Sequence, residues 1–321
     1  MTEQHTLEPG AAAQPGESGR VARSGRARRA GRADRARRAG RAARPIRPAR
    51  WRNIVIYIVG VLALAGIGGA VAVAETGELG SPDAGESAGM LLFILSPILV
   101  ASLLRWFGKD GWADAGLRFK ARGNGHWYLL ALLLFPALSA VAVGLGAATG
   151  AVTFAEGAAG AFAAAFAVTL VIRMVFAAFE EFGWRGYLEP RLANLGVPAA
   201  RRHLIVAAVW GVWHVPYILA VDVMTDLPLV AYLPLFLVAI VPMSFIYGVV
   251  RERTGSVWPA VLMHGMSNAV AFPLLLPEVL TLDNELVFAA RPEGLITLAG
   301  LVVTAAVLWR SRTRAAGSRP V

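Results

Sequence analysis

Residues 53–74 read NIVIYIVGVLALAGIGGAVAVA, a run without a single charge. The hydrocarbon core of a bilayer takes about 20 such residues in an α-helix, so the run is long enough to span a membrane. Working outward, the preceding segment is basic and the following one acidic: residues 1–52 hold 14 of the chain's 31 basic and 4 of its 21 acidic residues, and Glu75 and Glu78 come next. The same alternation continues through seven further apolar stretches, at 88–105, 127–148, 158–179, 203–221, 229–250, 256–276 and 294–309. Backbone groups in lipid must be paired within their own segment, which makes these stretches helices rather than strands.

Loop charges test that count. With the Arg-rich N-terminus inside, the outside loops carry Glu75, Glu78, Asp83, Glu86, Glu156, Asp222 and Glu285 against a single Arg291. The inside loops carry Arg105, Lys109, Arg118, Lys120, Arg251 and Arg253. Positive charge stays on the cytoplasmic side of a membrane protein, so the sequence predicts an all-α polytopic membrane helical bundle of about eight transmembrane helices, both termini cytoplasmic. The organisation expected is an Arg-rich tail over 1–50, membrane helices over 51–157, a core over 158–276 and a final helix with a basic tail over 277–321.

Composition agrees. The 321 residues are 56% hydrophobic and 16% charged, whereas soluble domains are about 45–50% apolar and about 25% charged. This excess argues against a soluble enzyme. The chain has no cysteine, which removes disulfide scaffolds, thiolate zinc sites and cysteine nucleophiles. The net charge of +10 is all accounted for by the first 52 residues. That tail has too little apolar content to offset the entropy of ordering, so disorder is expected there. No aromatic residue interrupts its Arg run, which fits a topology signal touching anionic headgroups; no specific nucleic-acid partner is expected.

Ionisable groups in or near a span are costly and so are functional candidates. Four places stand out: Arg173; Glu180-Glu181-Phe182-Gly183-Trp184-Arg185; Trp210 with His214; and His264 with Asn268. On a helix Glu180 and Glu181 point about 100° apart, so they cannot share one task. Glu181 and Arg185 are i,i+4 and can pair as ions, which leaves Glu180 free to face something else. The alternative is a charged cap where the helix leaves the membrane. Trp210 stands one turn before His214, and Pro216 follows, removing a backbone donor. His264 and Asn268 are also i,i+4 and share a face. An intramembrane His or Asn also serves as interhelical hydrogen-bonding glue. The conjunction argues for more: all four groups fall in the cytoplasmic half of three helices. A carboxylate, two imidazoles and an amide in one wet pocket suffice for hydrolysis, with a base for water, an acid for the leaving amine and donors for an oxyanion. Arg173, two turns before Glu180, either holds that carboxylate ionised or snorkels.

Glu180-Glu181-x-x-x-Arg185, aromatic-x-x-x-His at Trp210 to His214, and His264-x-x-x-Asn268 together resemble the three signature motifs of the CPBP family. This family comprises the CAAX prenyl proteases and the bacteriocin-processing or immunity (Abi) proteins. The resemblance covers roughly residues 158–276, and it departs at Trp210, where Phe is commoner. It implies an intramembrane endopeptidase of the bacterial inner membrane acting on a membrane-associated protein or peptide. Glu180 and His214 would activate water, His264 and Asn268 would steady the oxyanion, and Glu181 and Arg185 would orient. It also offers Glu180, His214 and His264 as ligands of a divalent metal such as zinc, with water in the fourth position, although the chain has no His-Glu-x-x-His. The other classes open at this point are a non-catalytic membrane immunity or scaffold protein and a proton-coupled transporter.

Overall fold

The computed structural model describes residues 46–317, with side chains to 313. The expectation of disorder over 1–50 lies, apart from residues 46–50, outside the described residues. The chain is helical nearly throughout. α1 (Trp51–Thr76), α2 (Ala88–Trp106) and α3 (Gly125–Thr149) come first. A short strand β1 (Val152–Phe154) leads to α4 (Ala158–Gly183), which runs through a π-turn (Trp184–Leu188) into α5 (Glu189–Asn194). α6 (Ala199–Ala220), α7 (Leu229–Thr254) and α8 (Trp258–Ala271) follow. Strand β2 (Leu280–Leu282), α9 (Glu285–Phe288) and α10 (Leu295–Gly317) complete it.

Among the described residues seven helices are long and apolar enough to cross a membrane: α1, α2, α3, α4 with α5, α6, α7 and α10. Their outward side chains are oil, with Val59, Leu133, Val171 and Val303 all exposed. Large exposed apolar surface on every side suits lipid and not water.

The eighth expected span, 256–276, is shorter than its sequence suggested. α8 has 14 residues, about 21 Å of helix, and gives way to a 3-10 turn at Pro273–Leu275. The chain still passes from one end of the bundle to the other there. The Val257 amide donates to the Gly116 carbonyl at one end, and Leu280 pairs with Phe154 at the other. The helix is buried along almost all its length, so packing rather than lipid thickness sets where it stops. Pro273, which lacks an N–H, coincides with the change to a 3-10 turn.

The loops sort into two groups. At one end Ser81 bridges Val221, β1 pairs antiparallel with β2, and Arg291 donates to the carbonyls of Val223 and Met224 at 2.9 Å each. At the other end Arg191 pairs with Asp110 and Asp114, and Trp258 Nε1 donates to the Leu117 carbonyl. Arg312 and Glu252 also pair at this end, so both described ends of the chain lie on the Arg-rich side.

Close helix packing in lipid depends on small residues. Here α1 and α2 touch at Gly68 and Gly89, where a Cβ on Gly89 would overlap the Gly68 carbonyl. The core they help enclose is aromatic: Tyr57, Trp184, Tyr187, Trp210, Trp213 and Tyr247 are all fully buried or nearly so.

Candidate active site

Glu180 lies in the last turn of α4, just before the π-turn. Its Oε2 accepts from the indole N–H of Trp210 at 2.8 Å and from that of Trp184 at 3.4 Å. Trp184 is one helical turn along from Glu180, and Trp210 is brought in by α6. An indole offers one donor and no acceptor, so a buried tryptophan beside a carboxylate can only hold it as an acceptor. With Oε2 held, Oε1 faces the Nε2 of His264 on α8 at 3.8 Å. That gap is too long for a direct hydrogen bond. Both residues are nearly buried, at 4% and 3% exposure.

Glu181 has a different environment, as its position on the helix requires. Arg185 NH1 donates to Glu181 Oε1 at 2.9 Å, with both side chains fully buried. The same oxygen lies 3.0 Å from His264 Nδ1. A carboxylate only accepts, so Nδ1 carries a proton and Nε2 is turned toward Glu180. The guanidinium of Arg185 lies over two rings, 4.6 Å from the centroid of Trp210 and 4.9 Å from that of Tyr247.

His214 is fixed by its own helix. Its Nδ1 lies 2.9 Å from the Trp210 carbonyl, which only accepts. The Nδ1 proton points there and Nε2 keeps its lone pair. Trp213 and Phe236 pack on the ring, with centroids 4.7 and 4.9 Å away. Asn268, one turn beyond His264, is half-buried. Arg173 lies with its guanidinium 5.2 Å from the centre of the Phe272 ring.

The structure therefore brings Glu180, Glu181, Arg185 and His264 into one contact network, with His214 joined to it through Trp210. The indole donors on Glu180 were not foreseen. Trp184 could have been, because it is i,i+4 from Glu180 and a buried indole needs an acceptor. Tyr247 under Arg185 had no local signal. Nor did the π-turn, whose carbonyls are taken from outside: Arg251 Nε donates to Arg185 O at 3.0 Å, and Arg105 donates to Gly186 O. π-Turns of this kind are frequent at functional sites.

A zinc ion on Glu180, His214 and His264 would need three ligand atoms close together. Among the described residues, the three side chains whose ligand atoms all fall within 4.8 Å of one another are instead Glu189, His203 and Glu252. As placed, the catalytic candidates are not a closed ligand set.

Fold and site together define a multi-pass membrane protein with a buried carboxylate–imidazole centre. Residues 162–270, which contain Glu180, Glu181, Arg185, Trp210, His214, His264 and Asn268, match the family described as Rce1-like, Type II CAAX prenyl endopeptidase Rce1-like. Over that segment the resemblance read from the motifs holds, and the match implies a hydrolase, a protease of the CAAX type. No curated protein matches the chain.

Proposed function

We propose that the protein is an intramembrane endopeptidase that cleaves a membrane-associated protein or peptide with Glu180 as the base for water. The supporting observation is the orientation of Glu180. Two indoles hold one oxygen and leave the other facing His264 across a gap of 3.8 Å. A charged residue that merely marked the helix exit would turn to solvent, whereas Glu180 is 4% exposed. A water in that gap donates to Glu180 Oε1 and attacks a peptide carbonyl, forming a C–O bond as its proton passes to the carboxylate. His264, kept in register by Glu181 and acting as the imidazolium with a proton on each ring nitrogen, donates its Nε2–H to the developing oxyanion, and the Asn268 amide adds a second donor. His214, with its Nε2 lone pair free, assists in moving the proton onto the leaving amine as the C–N bond breaks. Glu181 and Arg185 orient His264 and do not touch substrate.

By the positive-inside rule, the Arg-rich end faces the cytoplasm of a bacterial inner membrane and the site opens in that leaflet. The test is a proteomic comparison of membrane fractions from cells with the wild type, without it, and with Glu180→Gln or His264→Ala. The expected result is one uncleaved polypeptide accumulating in the deletion and in both variants. Normal processing by both variants would reject the protease and favour a binding or immunity role. A metal assay on each purified variant tests zinc at Glu180, His214 and His264 separately.

A further inference from the structure

We propose that Glu189, His203 and Glu252 bind a divalent metal ion of zinc's size at a site separate from the Glu180 centre, fastening α5, α6 and α7 at the Arg-rich end of the bundle.

The three ligands come from three helices, and one donor atom from each lies within 4.8 Å of the others. Such proximity alone means little. The second observation is what the groups lack. His203 is fully buried, yet neither ring nitrogen has a hydrogen-bond partner, and Oε2 of the buried Glu189 has none either. Buried polar groups are otherwise almost always paired.

The spacing leaves His203 without a direct hydrogen bond to either carboxylate. His203 Nδ1 stands 3.5 Å from Glu189 Oε1, and Nε2 stands 3.9 Å from Glu252 Oε1. Both exceed the N–H···O range of about 2.7–3.2 Å. The two distances run from opposite ring nitrogens, of which one ion takes one, so ligand atoms now within 4.8 Å of one another would close to the roughly 3.3 Å that a tetrahedral ion with bonds of about 2.0–2.1 Å imposes. One ring nitrogen and one oxygen from each carboxylate supply three ligands, and water the fourth. The imidazole occupies its position because residue 248 is glycine; a Cβ there would overlap the ring.

The charges divide unevenly between the two carboxylates. Glu252 pairs with Arg202 and Arg312. Among the described residues the partner that Glu189 has within salt-bridge range is His203. Arg185, Arg202 and Arg251 act on Glu189 from a distance but none pairs with it directly, and a buried carboxylate without a direct partner is costly; a divalent ion supplies that contact. The Glu252 side chain is 24% exposed, which gives an ion a way in. The two arginines compete for Glu252, so the affinity is expected to be modest.

The test uses the full chain purified in detergent, stripped with EDTA, dialysed against Zn²⁺ and analysed for metal content. Wild type, Glu180→Gln and His264→Ala are expected to take up one zinc per chain. Glu189→Gln and His203→Gln are expected to take up none. Zinc should raise the melting temperature of the wild type and leave that of Glu189→Gln unchanged; the isosteric Glu189→Gln carries the test if His203→Gln fails to fold. The proposal is overturned if wild type binds no zinc, if Glu189→Gln keeps it, or if the zinc is lost only from the Glu180 and His264 variants. A melting temperature that ignores zinc and simply falls as pH rises would mean a protonated imidazole fills the role, and would overturn it too.

Discussion

Arg185 sits where an ion pair can be weighed with little interference from solvent. Its guanidinium and the Glu181 carboxylate meet at 2.9 Å with no exposure on either side chain. Replacing Arg185 with Met keeps an unbranched apolar chain and removes the charge. Glu181 is then a buried carboxylate without its cation, which costs about 3–5 kcal/mol. The two rings that face the guanidinium at 4.6 and 4.9 Å lose a desolvated cation–π contact of about 2 kcal/mol, part of the same loss rather than an addition to it. Glu181→Gln makes the converse change, and its carbonyl oxygen can still accept from His264 Nδ1. The double variant leaves no orphaned charge, so it is expected to be no less stable than Arg185→Met alone, a coupling of about 2–3 kcal/mol. The assay is reversible denaturation of the four proteins in mixed micelles, read as a double-mutant cycle. Two single losses that simply add, to within about 0.5 kcal/mol, would refute the claim that these side chains act as one buried pair.

Three further outcomes are expected. Trp210→Phe keeps the ring and removes the 2.8 Å donor to Glu180; a hydrogen bond to a charged group is worth about 1.5–3 kcal/mol, so kcat should fall roughly 10- to 100-fold with KM little changed. Trp184→Phe, whose bond is 3.4 Å, should cost less, and steady-state kinetics on an identified substrate checks both. At the acidic end of the bundle, burial opposes ionisation of Glu285, but bonds from Arg291, Thr225 and the Asp226 amide outweigh it and hold this carboxyl below its usual value. Its stabilisation is present at neutral pH and is lost only as pH drops below the ordinary glutamate range. Glu293 is the opposite case: burial, only partly countered by Arg291, pushes it up. The folded state then favours the protonated form, and stability declines as pH climbs from the ordinary value through the raised one. Glu293→Gln should therefore raise the melting temperature at neutral pH and leave it unchanged in acid, whereas Glu285→Gln should lower it at neutral pH. Gly89→Val places a branched side chain against the Gly68 carbonyl, and size-exclusion profiles should show loss of the folded monodisperse species.

The residue pattern gave different amounts of information about different parts. Spans were legible because the cost of exposing a backbone to lipid leaves long apolar helices as the ready solution; the alternation of Arg-rich with acidic loops argued for eight, of which seven among the described residues are helices long and apolar enough to cross a membrane. The His264 helix marks the edge of that logic. Its composition reads as a span, but being enclosed by other helices it was free to stop after 14 residues. Helical spacing also sorted Glu180 from Glu181: two neighbours about 100° apart must meet different partners, and one of them has an arginine at i+4. Yet the same spacing could not say that His264 reaches across from α8 to Glu181, 83 positions earlier.

What the sequence determined alone, then, is whatever a single helix and its solvent decide: the oily segments, the charge bias between the two ends, and which side chains share a face. The tertiary structure decided everything that needs two helices at once. It put the indole of Trp210 on Glu180, set Arg185 over Trp210 and Tyr247, and gathered Glu189, His203 and Glu252. The reason is range. Hydropathy and i,i+4 contacts act over one turn, whereas a hydrogen bond between helices depends on crossing and depth, which are set by close contacts such as Gly68 against Gly89.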